Sequence, residues 1–485
     1  MWQNEIYAKL PVVLQNVACS LEGLRIKRSR YNNDFWTHLR ACEQTGDLDP
    51  AKFEAYRDAR LRDFVEHAAT TVPYYQRLFT KMGVKPADIR SLQDLAQLPV
   101  LKKAQIQNAP GSFLSTAVPR TERKNEHTSG TTGAGLVFST TQTAVREQYA
   151  VWWRYLRWHG LPFGTWCAYF GGRSIVPLEQ TSPPFWRENR FGRQILFSAL
   201  HTAPENIRFT AQKLREAQPP WLHGYPSHLT LLASYLLETG FDLGYQPRWV
   251  TTCSESVLAH HRSTIRSAFG VEPLQHYAMA EAVANISECP EGNLHVDEDF
   301  SAVEFVPAGE DNLHRVIGTN MSNRAMPFLR YDTGDLVRLS SQPCGCGRPG
   351  RVVASIDGRV EDNVELPNGA RISTLDLVFQ DQTRVRAAQI RQRDVGSIDV
   401  LIIKNKGYTE RDETNIVRNF TQKLGNEIAI RIHYVDEIEK TPGGKTRFVV
   451  SEILRNKLVK VLGSWLPVES FLVETYCPIF VSSLA

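Results

Sequence analysis

The sequence predicts an α/β protein in two parts: a large N-terminal α/β domain with layered sheets and a small C-terminal α+β domain. Three observations carry that expectation. Between Trp166 and Val306, helix-like and strand-like segments alternate, the pattern of helices layered on a sheet. The composition then changes near Gly358-Arg359. Beyond that point Ile428, Ile430, Ile432 and Tyr434 alternate strictly, as a half-buried strand does.

Taken in order, residues 1 to about 125 read as helical with loops. Ala51 to Ala69 is one amphipathic run, broken by Val72-Pro73-Tyr74-Tyr75. A loop rich in Ser, Thr and Gly follows, then a short strand at Val137 to Thr140 and an aromatic-rich helix at Thr143 to Trp158. Ile207, Ala211, Leu214 and Ala217 recur at helical spacing. His228 to Glu238 is apolar on more than one face, which predicts a buried helix. Arg248 to Cys253 and Leu274 to Tyr277 read as short buried strands. In the last part, Ile398 to Lys404 is a strand and Glu410 to Leu424 a helix with Ile416, Val417, Phe420 and Leu424 on one side. The expected division is residues 1–357 and 358–485, the second an ordinary size for a domain.

Composition excludes several classes. The chain has 56 basic and 52 acidic side chains, too even a balance to argue for nucleic acid. Arg25, Lys27, Arg28 and Arg30 form the densest basic cluster and read as a solvated helix end. With no run of about 18 apolar residues, no membrane span is expected. The first residues do not resemble a signal peptide. Eight scattered cysteines in 485 residues are not a disulfide scaffold, so a reducing cytoplasm is the expected setting.

The chemistry begins at His127-Thr128-Ser129-Gly130-Thr131-Thr132-Gly133. Glycines allow close backbone approach and convergent N–H groups, and the hydroxyls donate without adding charge, which suits phosphate oxygens. Four signals follow in order: Tyr277-Ala278-Met279-Ala280-Glu281, the turn-like Arg330-Tyr331-Asp332-Thr333-Gly334-Asp335, Gly358-Arg359-Val360-Glu361-Asp362, and Thr441-Pro442-Gly443-Gly444-Lys445. Glu281 suits Mg²⁺, a hard cation that takes one or two carboxylates plus substrate phosphates. Asp335 suits ribose hydroxyls, and Lys445 suits charge developing between a carboxylate and an α-phosphate. A Walker A loop is excluded because Glu439 stands where glycine is needed. Gly130, Gly133 and Gly135 have the wrong spacing for a dinucleotide fingerprint.

The ordered set S-G-T-T-G, Y-x-x-x-E, Y-D-T-G-D, G-R-x-E-D and P-x-G-K resembles the adenylate-forming superfamily, which includes acyl-CoA synthetases. Leu222-His223-Gly224-Tyr225-Pro226-Ser227 and Cys344-Gly345-Cys346-Gly347-Arg348 are similar to phenylacetate–CoA ligase and its relatives in polysaccharide gene clusters. The resemblance implies that Thr128, Ser129, Gly130, Thr131, Thr132 and Gly133 hold the β- and γ-phosphates of ATP. Tyr277 would flank adenine, with Glu255 near it, Glu281 would bind Mg²⁺, and Asp335 and Arg359 would hold the ribose or phosphate. Lys445 would act in the adenylating step. Glu361, with Asp362 beside it, would be the hinge about which the small domain rotates between half-reactions. This sequence departs from the family pattern at Ala134-Gly135, Ala278 and Ala280.

Cys289 and His295, with Cys344 and Cys346, supply a Cys₃His set in two tight pairs, which predicts a structural zinc site. Cys253 reads instead as a packed strand residue. The expected activity is ATP-dependent, AMP-forming activation of an aryl or acyl carboxylate, followed by transfer to coenzyme A. An amine or hydroxyl acceptor, and a nucleotide-binding relative without catalysis, are the alternatives.

Overall fold

The computed structural model describes residues 2–128, 136–171, 175–177, 180–198, 201–202, 204–308, 312–359, 364–367, 371–372, 375–379, 384–404, 407–424, 428–439 and 447–453. The helices are α1 (Trp2–Lys9), α2 (Val12–Arg30), α3 (Asn33–Thr45), α4 (Pro50–Thr71), α5 (Pro73–Met82), α6 (Lys103–Asn108), α7 (Gln142–Trp158), α8 (Pro204–Ala217), α9 (Pro226–Thr239), α10 (Ala259–Phe269) and α11 (Glu410–Leu424). A hairpin of β1 (Arg123–His127) and β2 (Val137–Thr141) precedes the main sheet. That sheet uses β3 (Cys167–Phe170), β4 (Trp186–Asn189), β5 (Gln194–Phe197), β6 (Trp221–Gly224), β7 (Trp249–Thr252), β8 (Pro273–Ala278) and β9 (Asn285–Glu288). It continues with β10 (Leu294–Val296), β11 (Ser301–Pro307), β12 (Leu313–Asn320), β13 (Tyr331–Leu339) and β14 (Val352–Arg359).

Among the described residues the main sheet has 12 strands in the order β11-β12-β13-β14-β10-β9-β8-β7-β6-β3-β5-β4. Its halves differ. β5, β3, β6, β7 and β8 run parallel, while β8 to β11 through β14 pair antiparallel. β6 and β7 are buried along their whole length, as parallel strands covered on both faces must be. One core lies between this half and α8, α9 and α10, and a second lies beneath α4 and α5.

Local signals explain the helix ends. Asp49 caps α4 by accepting from the Lys52 N–H at 3.0 Å, with Pro50 in the first turn. Pro73 then starts α5, which Gly83 closes in the left-handed conformation. Gly224 is needed for a different reason. A Cβ there would lie 2.3 Å from the Phe170 carbonyl oxygen across the β3–β6 pair. Gly224→Ala is expected to destabilise the protein by about 2 kcal/mol, because the overpacked strands cannot separate cheaply. A denaturant melt with an unshifted midpoint would reject that account.

The C-terminal part has its own core, from Val364 to Val449. It comprises β15 (Val364–Glu365), β16 (Arg371–Ile372), β17 (Val385–Gln392), β18 (Ser397–Lys404), β19 (Ala429–Tyr434), β20 (Val449–Ser451) and α11. β19-β18-β17-β20 form a four-stranded sheet, and Ile430 and Ile432 of the alternating run pack on its core. β17 and the 3₁₀ turn Leu375–Phe379 lie against α9 and α10.

One expectation is corrected here. Arg330 to Asp335 is not a turn: Tyr331 opens β13, which pairs with β12 and β14. The turn-like composition reflects local irregularity within the strand, since Arg330 and Gly334 have positive φ (53° and 76°) and the register with β12 shifts.

Candidate active site

The loops after the parallel strands bring the expected site residues to one edge of the sheet. β6 ends at Gly224, β7 at Thr252 and β8 at Ala278, and the segments that follow carry Ser227, Glu255 and Glu281. Crevices outside the carboxyl ends of parallel strands are where open α/β sheets bind ligands.

Two tyrosine–carboxylate pairs organise this edge. The Tyr277 hydroxyl donates to Asp335 Oδ2 at 2.6 Å, which fixes the carboxylate of β13 against the end of β8. The Tyr331 hydroxyl donates to Glu281 Oε1 at 3.2 Å. Glu281 is further pinned through its backbone, since its carbonyl accepts from Asn320 Nδ2 at 2.8 Å. All three of Glu281, Tyr331 and Asp335 are buried. Glu281 therefore offers a fixed hard oxygen donor whose position is set by β12 and β13, not by its own loop. That donor chemistry fits a single Mg²⁺ ligand completed by phosphate oxygens.

Asp332 faces other partners: Lys102 Nζ lies 2.5 Å from Oδ2, and Arg315 also pairs with it. Of the two carboxylates in this motif, then, Asp332 ties β13 to β12 and the segment before α6, whereas Asp335 meets Tyr277.

Glu255 lies in the segment after β7. Its two carboxylate oxygens accept from the Ser227 N–H at 3.1 Å and the Ser227 hydroxyl at 3.0 Å, at the start of α9. A carboxylate on exposed N–H groups of a first helical turn is well placed. The contact clamps the loop after β7 onto α9. Ser254 just before it has φ of 66°, as Ala282 just after Glu281 has 54°. Positive φ at two non-glycine residues beside Glu255 and Glu281 is the kind of strain that ordered sites hold.

Thr128 closes the neck of the phosphate-loop candidate. Its N–H donates to the Leu136 carbonyl and its hydroxyl oxygen accepts from the Leu136 N–H, both at 2.9 Å. Ser129, Gly130, Thr131, Thr132 and Gly133 lie outside the described residues, as do Glu361, Asp362 and Lys445. Arg359 is placed by its backbone, opposite Asp335 in the β13–β14 pair.

A buried aromatic cluster stands beneath the same edge. His223 on β6 lies 5.6 Å from the rings of Trp152, Tyr169 and Trp221, and its Nδ1 lies 2.8 Å from Thr251 Oγ1. Burial pushes the imidazole down to about 4, so it is neutral at pH 7.

The Cys₃His set assembles as the spacing predicts. The ligand atoms of Cys289, His295, Cys344 and Cys346 lie within 4.8 Å of one another. Cys289 and Cys344 sulfurs are 3.7 Å apart, and Cys346 Sγ is 3.4 Å from His295 Nε2. His295 Nδ1 lies 3.3 Å from the Pro349 carbonyl, an orienting partner of the sort metal-binding imidazoles use. Burial pushes the Cys289 thiol up to about 12. Three sulfurs and an imidazole nitrogen are a donor set that fits zinc.

Comparison with known proteins finds relatives along most of the chain. Residues 365–452 match the CapK C-terminal domain. Protein CapK of Staphylococcus aureus is 26% identical over 463 residues, covering 93% of this chain and 99% of that protein. The phenylacetate-coenzyme A ligase of Thermus thermophilus is 25% identical over 413 residues, 79% and 85% of the two chains. The chain is thus similar, over most of its length, to CapK and to phenylacetate-coenzyme A ligases. Its fold is that of 2-hydroxyisobutyryl-CoA ligase in the postadenylation state, with a TM-score of 0.67 at 18% identity, covering 87% of this chain and 94% of that one.

Sequence reasoning on the superfamily motifs missed the residues that hold them. Tyr331 was visible inside Y-D-T-G-D, but nothing local shows that it reaches Glu281. Asn320 carries no motif signal, and Ser227, though it ends the Leu222–Ser227 segment, shows nothing in sequence of its contact with Glu255. Tyr277→Phe is expected to raise KM for ATP about fivefold with kcat nearly unchanged, since one hydrogen bond orienting Asp335 is worth about 1 kcal/mol. An unchanged KM would show that Asp335 needs no orienting partner.

Proposed function

We propose that this chain is an AMP-forming ligase that activates a carboxylic acid with ATP as an acyl-adenylate and then transfers the acyl group, with coenzyme A as the acceptor. The observation that supports this most is the pairing of Tyr331 with Glu281 and of Tyr277 with Asp335 at the carboxyl edge of the sheet. It joins motifs far apart in sequence at a single edge.

In this reading the loop whose neck Thr128 closes holds the triphosphate. Glu281 holds Mg²⁺, which when bound supplies positive charge to the phosphate oxygens. Asp335 accepts from ribose hydroxyls, and its orientation comes from Tyr277. The carboxylate oxygen of the substrate attacks the α-phosphorus, the bond to pyrophosphate breaks, and Lys445 stabilises the charge that develops between them. Arg359 assists at the ribose or phosphate. The substrate's acyl part lies toward the Trp152, Tyr169 and His223 cluster, whose neutral imidazole adds no charge there.

The two-domain division, with residues 1–357 and 358–485 moving about Glu361 and Asp362, belongs to the same reading. So does structural zinc at Cys289, His295, Cys344 and Cys346. A reducing cytoplasm is the setting that belongs to the same reading. No helix of the described residues is long and apolar enough to cross a membrane.

The test is pyrophosphate release screened over aryl and aliphatic carboxylates, with CoA and with amine or hydroxyl acceptors in separate arms. Release that needs one carboxylate, followed by thioester formation, is the expected result. ATP binding without pyrophosphate release for any acid would instead identify a scaffold that no longer catalyses.

A further inference from the structure

The amphipathic pattern of α2 is turned inside out. Gln15 and Gly23 are its buried positions, and Gly23 packs so closely on β4 that a Cβ would meet Asn189 Oδ1 at 1.9 Å. The outward face carries Val13, Leu14, Val17 and Leu21, which are 71%, 48%, 49% and 57% exposed. Their spacing of three and four places them on one stripe. Four exposed aliphatic side chains in one stripe are more than single surface hydrophobics, which need no explanation.

The stripe continues into positive charge. Arg25 and Arg28 follow Leu21 by four and seven residues, so they extend the same face, and Lys27 is exposed beside them. Lys124 of β1 adds to this cluster: partial burial lowers its pKa first, Arg25, Arg30 and Arg146 around it lower it further, and Glu126 on the same strand opposes them. Arg25 is neutralised in part by Glu22; Lys27, Arg28 and Lys124 leave the patch basic.

A second feature flanks the stripe independently. The turn between β4 and β5 is fixed to α2 by the Arg190 N–H, which donates to Ser20 Oγ at 3.1 Å. Asn189 Oδ1 accepts from the Gly192 N–H at 2.8 Å, and Arg193 is held at φ of 52°. This rigid turn presents Phe191, 49% exposed, between the exposed Arg190 and Arg193. An aromatic ring between two arginines beside an aliphatic stripe is the composition of an interfacial anchor.

We propose that the outer face of α2 and the Phe191 turn dock this protein on an anionic lipid surface, with the aliphatic stripe and Phe191 in the interface and the basic cluster on the headgroups. The helix would lie on the surface and not span it, in keeping with its charged end. A second copy of the chain fits less well. The first turn of α2 has no acidic residue, so an antiparallel partner helix offers no carboxylate to Arg25 and Arg28.

Co-sedimentation of the full chain with vesicles decides this, using phosphatidylcholine alone and phosphatidylcholine with phosphatidylglycerol. Binding to the anionic vesicles is expected, weakened by added salt. In the double variant V17E/L21E, affinity is expected to fall about tenfold or more, since two buried aliphatic side chains are replaced by charges. Arg28→Glu with Lys27→Glu removes the preference for anionic lipid. Circular dichroism and ATP binding report that the variants are folded. Absence of binding to either vesicle, or equal binding by wild type and V17E/L21E, overturns the proposal. Light scattering that shows a dimer dissociated by V17E/L21E also overturns it and makes the face a contact between copies.

Discussion

Glu281→Gln is expected to lower the rate of pyrophosphate release by about 10²–10³-fold, the loss that follows when a single preorganised electrostatic contact to the reacting phosphates is removed. The substitution keeps the side-chain oxygen that accepts from the Tyr331 hydroxyl, and the Asn320 contact is to the Glu281 backbone, so the local fold is retained. What disappears is the negative charge that suits Mg²⁺. Raising Mg²⁺ should therefore recover part of the rate. Lys445→Ala is expected to cause a loss of similar size without that Mg²⁺ dependence, because its charge acts on the substrate directly. Equal pyrophosphate release by wild type and both variants would remove these two residues from the chemistry.

Removing the zinc proposed for the Cys₃His set is expected to destabilise the N-terminal part by about 4 kcal/mol or more, since metal binding free energy becomes folding free energy when the ligands separate on unfolding. At roughly 2 °C per kcal/mol for a large domain, the melting temperature falls by about 8 °C. The cross-link would join the β9–β10 hairpin, with Cys289 in its turn and His295 on β10, to the segment between β13 and β14, which carries Cys344 and Cys346. Asp335 lies on β13, so on the proposed role of Asp335 loosening this end is expected to weaken ATP binding as well. Metal analysis of the purified protein, followed by calorimetry with and without a strong chelator, measures the effect. Cys346→Ser should reproduce it. Protein that carries no zinc and melts at the same temperature in chelator would exclude the site.

Much of this protein was legible before its structure. In the parallel half of the main sheet, β7 and β8 announced themselves because they are short and apolar. The antiparallel half did not. β12 and β13 contain His314, Arg315, Asp332 and Asp335, and charged residues at strand positions carry no clean alternation. Pairing with neighbours overrides that weak local preference. The Cys₃His cluster was legible because its residues lie in two tight local pairs.

The superfamily motifs follow from sequence because each is a short chemical unit whose residue types are fixed by the group it meets. Their mutual geometry is not. Tyr277 reaches Asp335 across 58 residues and Tyr331 reaches Glu281 across 50, contacts that only the β8–β9 and β12–β13–β14 pairings create. The same holds for α2. Sequence alone determines that Val13, Leu14, Val17 and Leu21 share one face and that Arg25 and Arg28 prolong it. Periodicity is a property of the chain, so it can be read there. Which face turns inward is a property of what the helix packs against, and the fit of Gly23 on Asn189 decides it. That close approach, not the hydrophobic pattern, leaves the aliphatic stripe facing out.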